Sequence, residues 1–184
     1  MILPIFAFGQ PVLKKKALDI DADYPDLSSL IANMYETMYH AHGVGLAAPQ
    51  IGLSIRLFVM DTMQVMEEGE KEKGIKKAFI NPEKIEETGE IKPYEEGCLS
   101  IPQIRGDVDR PEIIHIKYLD EQFVEHIETY EGLNARVIQH EYDHIEGLLF
   151  IEKLKPLKKQ LIKRKLDAIR KGQVEVDYRM KFVG

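Results

Sequence analysis

Residues 139–144 read Gln-His-Glu-Tyr-Asp-His, an HExxH run. His140 and His144 stand four residues apart, which on a helix puts them one turn apart on the same face. Both imidazoles then reach one metal ion, while Glu141, beside the first, stays free to move protons. Two helical histidines hold a metal only weakly, so a further donor must come from elsewhere in the chain. An HExxHxxGxxH pattern is not met, because Gly147 fills the glycine position but Phe150 stands where its last histidine would be. A downstream glutamate ligand is no better served, since Lys155–Leu166 contains no carboxylate. What remains is Cys98, the single cysteine, in Glu96-Gly97-Cys98-Leu99-Ser100. Lone cysteines are commonly small buried hydrophobes. Beside an HExxH that lacks a ligand, a thiolate is a strong candidate for a borderline or soft metal.

A run of small residues, Gly43-Val44-Gly45-Leu46-Ala47-Ala48-Pro49-Gln50, suits a backbone that another chain approaches closely. Gln50 closes it with an amide that can donate two hydrogen bonds. GVGLAAPQ, EGCLS and QHEYDHIEG together resemble the three signature motifs of the peptide deformylase family, in the family's order and at comparable spacing, from Gly43 to Gly147. Every polar position matches, and variation is confined to apolar ones such as Ile145. His42, where many members carry glutamate, departs just outside the first motif.

The resemblance implies a hydrolase that removes the N-formyl group from the formyl-methionine terminus of newly synthesised polypeptides and releases formate. Cys98, His140 and His144 would hold one divalent metal, which lowers the pKa of a water at its open position. Glu141 would take the proton of the attacking water and pass it to the departing amine. The Gln50 amide and the Leu99 N–H would stabilise the oxyanion. Gly43, Val44 and Gly45 would bind the substrate backbone as an added strand, with an apolar pocket near His140 for methionine and Arg105 as a further contact. One thiolate and two imidazoles suit Zn2+. The resemblance implies Fe2+ in the cell, with Zn2+, Ni2+ or Co2+ also able to occupy the site. Two other classes stay open: a peptidase cutting internal bonds, and a binding protein that keeps the fold without activity. Formate release from a formyl-methionyl peptide separates all three.

The elements that must carry these residues are mixed. Asp23–His42 reads as a helix, with Pro25 in its first turn, a stripe of Leu27, Leu30, Ile31, Met34 and Met38, and Gly43 as its stop. Ile55–Met60 suits a buried strand, Thr62–Lys77 a solvated loop and Ala78–Glu87 another strand. Glu112–Tyr130 reads as a hairpin, with Ile114, Ile116 and Tyr118 on one face and a turn near Asp120-Glu121-Gln122. Gly132 and Gly147 bracket the HExxH helix, whose Leu133, Val137, Ile138 and Ile145 spread around its axis. The expected fold is α+β, with antiparallel strands around a central metal-binding helix, an N-terminal and a C-terminal helix, and one domain over 1–184. His115 and His126 fall in the hairpin and His40 near a helix end, and none is needed as a ligand.

The 184 residues, 44% hydrophobic and 30% charged, have the composition of a soluble protein. No apolar run nears the roughly 20 residues of a bilayer span. The opening MILPIFAFGQPVLKKK lacks secretory and transit features, and a lone cysteine suits a reducing compartment, so the expectation is a bacterial cytoplasmic enzyme with no membrane or DNA partner. A net charge of −6 argues against a general polyanion binder. Against that background, Lys153–Lys171 carries nine basic residues and one acid, Asp167. Leu154, Leu157, Leu161, Ile162, Leu166 and Ile169 recur there at roughly helical spacing. Such a helix either covers the core or is drawn to ribosomal RNA where nascent chains emerge, as similar basic C-terminal helices of deformylases suggest.

Overall fold

Along Ile101–Leu119 the residues at alternate positions, among them Ile104, Val108, Arg110, Ile114, Ile116 and Tyr118, are buried. That is the period of a strand with one face on a core, and here it carries a charge, Arg110, inward. The computed structural model describes residues 1–183. Its elements are β1 (Ile5–Phe6), α1 (Leu27–His40), β2 (Gly45–Ala47), β3 (Leu57–Asp61), β4 (Lys76–Cys98), β5 (Ile101–Leu119), β6 (Glu125–Glu131), α2 (Gly132–Ile145), α3 (Pro156–Arg170) and β7 (Met180–Lys181). Strands β2-β3-β4-β5-β6 form one sheet in that order, every pair antiparallel, so β2 is an edge strand. β1 and β7 pair in parallel as a separate ribbon. The fold is α+β, as expected.

The expected strand ending at Glu87 runs on to Cys98. A register shift between Thr88 and Ile91 absorbs Gly89, whose φ of 83° would otherwise break the ladder. The first helix starts at Leu27 rather than Asp23, because Asp26 adopts a left-handed conformation at φ 53° and leaves Pro25 outside. The hairpin turns where expected, with the Asp120 carboxylate accepting from the Gln122 and Val124 N–H groups. Thr62–Lys77 is largely exposed, although Thr62 itself is buried.

α2 is buried on several sides. Ile138 and Ile145 join Phe58, Phe79, Ile114 and Tyr118 in one core cluster. Its other buried residues include Arg136, Gln139, Glu141, Asp143 and His144. An inside so polar has to be satisfied by partners from the strands. α3 packs through Leu154, just before it, and through Ile162 and Ile169. Leu157 and Leu161 do not join them and are each 69% exposed, so the apolar stripe read from the sequence is split between the core and the solvent. No helix among the described residues is long and apolar enough to cross a membrane.

Candidate metal centre

Two elements build the centre. β4 ends at Cys98, and α2 presents His140 and His144 one turn apart, with ring centroids 5.1 Å apart. The ligand atoms of Cys98, His140 and His144 all lie within 4.8 Å of one another, and this is the one His/Cys/carboxylate cluster of metal-binding geometry among the described residues. Cys98 Sγ is 3.3 Å from His144 Nε2. His140 Nδ1 is 2.7 Å from Glu96 Oε1, so a carboxylate fixes the ring and leaves its other nitrogen on the cysteine side. One cysteine and two imidazoles, the His140 ring held by Glu96, fit a borderline divalent metal.

Sequence reasoning missed the support under this triad. Glu96 is buried and accepts from Arg110 through Nε at 2.7 Å and Nη2 at 3.0 Å, and from Arg136 Nη1 at 3.0 Å. Arg110 also donates to Asp143 Oδ2 at 2.8 Å. Two carboxylates and two guanidiniums thus balance in the interior, each hydrogen-bonded. Burial pushes the Glu96 carboxyl up, but His140 and Arg110 outweigh it and hold it well below the usual carboxylate range. Burial favours a neutral His140, yet its contacts with Cys98 and Glu96 raise it, while burial and the neighbouring His140 lower His144. Glu96 and Asp143 sit inside the quoted motifs, so they could have been suspected. Arg110 lies before the hairpin read from the sequence and carried no signal there.

Glu141 has no such support. It is 4% exposed, its Oε2 has no hydrogen-bond partner among the described residues, and burial lifts its carboxyl to about 7. It packs under the first small-residue segment, where a Cβ on Gly45 would stand 2.7 Å from its Cδ. A side chain at position 45 would have to displace the Glu141 carboxyl. Gln50, 1% exposed, has its Oε1 pinned by the Ala47 N–H at 2.9 Å, which turns Nε2 toward Cys98 Sγ at 3.4 Å and Ser100 Oγ at 3.2 Å.

These groups open onto a cleft of about 970 Å³. Gly43, Val44, Gly45, Leu99 and Arg105 all line it, as do Leu133 and Val137 of α2, which the sequence offered only as core. Arg105 is at the rim, already paired with Glu95 at 2.9 Å. His42 lines the same mouth in a left-handed conformation, φ 57°. His115 and His126 lie apart from the centre, hydrogen-bonded to Thr129 and Asp120, and His40 is exposed at the end of α1.

The family model described as "Polypeptide deformylase" matches residues 2–160. The chain belongs to the peptide deformylase family. A peptide deformylase of Christiangramia forsetii is 58% identical over 189 residues, covering 99% of this chain and 96% of that protein. One from Cytophaga hutchinsonii is 54% identical, with 99% and 98% covered. Among solved structures, a peptide deformylase from Legionella pneumophila superposes with a TM-score of 0.81 at 40% identity, covering 94% of this chain and 98% of that one. As a deformylase the protein is a metal-dependent hydrolase that removes the N-formyl group from nascent chains. A cleft lined by the edge strand's Gly45 and by Cys98 and His140 of the Cys/His/His cluster is a setting that suits the reaction.

Proposed function

We propose that Cys98, His140 and His144 are the ligands of one divalent ion, that Glu141 is the proton carrier, and that Gln50 and the Leu99 N–H stabilise the oxyanion. The observation that carries this reading is Glu141, a buried carboxylate with a partnerless oxygen beside the Cys/His/His cluster. A bound divalent ion supplies a water acidified toward neutral pH and a Lewis acid for the formyl oxygen. Glu141 accepts the proton lost by the attacking water and gives it to the amine as the C–N bond breaks, leaving formate. With its Oε1 held by Ala47, the Gln50 amide is pre-set to donate to the oxygen that becomes negative.

The extended peptide adds alongside Gly43, Val44 and Gly45 at the free edge of β2. Leu133 and Val137 supply the apolar contact for methionine, and Arg105 meets substrate at the rim. Fe2+ is the metal proposed for the cell, with Zn2+, Ni2+ or Co2+ as substitutes. The chain works as one domain over 1–184 in the bacterial cytoplasm, without membrane or DNA partners. The basic helix within Lys153–Lys171 is proposed to draw it to ribosomes, supported by the exposure of Leu157 and Leu161 among its lysines. Anaerobically prepared protein should release formate from a formyl-methionyl peptide in proportion to its metal content. Fully metallated protein that releases none contradicts the reading.

A further inference from the structure

Beyond α3 the chain turns back over the mouth of the cleft. Gln103 Nε2 donates to the Glu175 carbonyl at 2.8 Å on one rim, and Asp177 lies 3.5 Å from His42 on the other. Farther on, β7 pairs with β1, so the returning segment is tied down along its length. Val176 and Tyr178 thereby become part of the cleft wall, although the family model ends at residue 160.

The Tyr178 hydroxyl donates to the Leu99 carbonyl at 2.8 Å. Leu99 and Ser100 form the turn between the end of β4 at Cys98 and the start of β5 at Ile101. Gln50 grips this turn through Cys98 Sγ and Ser100 Oγ. Among the described residues, Gln50 donates to Ser100 Oγ from the floor and Tyr178 donates to the Leu99 carbonyl from the returning tail, so the two residues of the turn are held from opposite sides. Burial raises the Tyr178 hydroxyl above its ordinary pKa, so it remains a donor at neutral pH.

We propose that Tyr178 is a positioning residue for deformylation: by fixing the carbonyl of Leu99 it holds that residue's N–H on the developing oxyanion. The proposal rests on the oxyanion role given to Leu99 above. Tyr178→Phe removes the hydroxyl and keeps the ring, so packing is preserved. Losing one hydrogen bond that holds a transition-state donor should lower kcat about three- to tenfold, with KM little changed. Metal content and melting temperature should stay at wild-type values, and hydrogen exchange at the Leu99 amide should quicken. Wild-type kcat with unchanged exchange overturns the proposal, because the turn then holds itself. Faster exchange with wild-type kcat overturns it through the role of Leu99, since the turn has loosened without consequence for the reaction. A fall in rate accompanied by lost metal or a lowered melting temperature reduces Tyr178 to a structural residue and overturns it as well.

Discussion

On the sheet side of His140, Glu96 is hemmed in by Arg110, Arg136 and the imidazole itself. Next to His140 in the chain, Glu141 has a carboxylate oxygen with no partner among the described residues. Both side chains are buried, yet the first carboxyl is held far below its ordinary range and the second is lifted to about 7. Burial acts in the same direction on each, so the difference lies in the supply of donors. A glutamate surrounded by guanidiniums is fixed as an anion and can only orient its neighbours. A glutamate left short of donors can take and release a proton near neutral pH.

The largest effect is expected at the proposed ligand Cys98, which lies against His144 and Gln50. Cys98→Ser replaces a thiolate by a poor neutral ligand, and elemental analysis should find metal retention collapsed and activity gone with it. Full metal at one equivalent would remove Cys98 from the centre. Next comes the over-supplied side. Glu96→Gln leaves the Arg110 and Arg136 charges under-compensated in the interior and should cost about 3–5 kcal/mol in urea unfolding, with metal affinity about 10- to 100-fold weaker. A variant as stable as wild type would show that Asp143 alone balances the two arginines. On the open side, Gln50→Ala should lower kcat by about 10²–10³-fold with less effect on KM, because its donor acts mainly in the transition state. A raised KM at unchanged kcat would make Gln50 a simple binding residue.

The smallest effect sharpens the comparison at the surface. Glu128 accepts from Lys77 and Tyr118, and Tyr130 also bonds it; burial opposes its ionisation, but these partners win and hold its carboxyl at about 2. Its folded value lies below the ordinary 4.5. The stability it contributes is therefore present above about 4.5 and is lost as pH falls toward about 2. Glu128→Gln should melt slightly lower at neutral pH and lose less between those two values. Because a third of the side chain is exposed, solvent screening keeps the effect small. Parallel melting curves for the two proteins across that window would contradict the assignment.

The residues that the structure brings together at the candidate centre were legible because their types and spacing are rare: His140, Glu141 and His144 by helical period, Cys98 by elimination, Gln50 by its small-residue run. Their support was not. Glu96 and Arg110 fall outside the strands read from the sequence, and only partners 14 to 44 residues away enclose them. Element type was readable for α2, the hairpin and the C-terminal helix, and limits were less so. Gly89 and Pro93 resemble strand breakers, yet a bulge and the long partner strand carry β4 past both. Periodicity placed six apolar residues on the C-terminal helix; Leu154 falls just before α3, and only packing decides that Leu157 and Leu161 face solvent while Ile162 and Ile169 do not.

The contrast between the two glutamates is tested most directly by Glu141→Gln, followed by formate release, metal content and unfolding of the metal-free protein at pH above 7. A raised carboxyl makes ionisation at such pH a burden on the folded state, a stability contribution lost as pH rises from 4.5 through about 7. The neutral amide should therefore leave stability unchanged or increased. Metal should remain at one equivalent while kcat falls by about 10²–10⁴-fold. Near-normal turnover at full metal content would contradict the account, because the proton would then travel by another group.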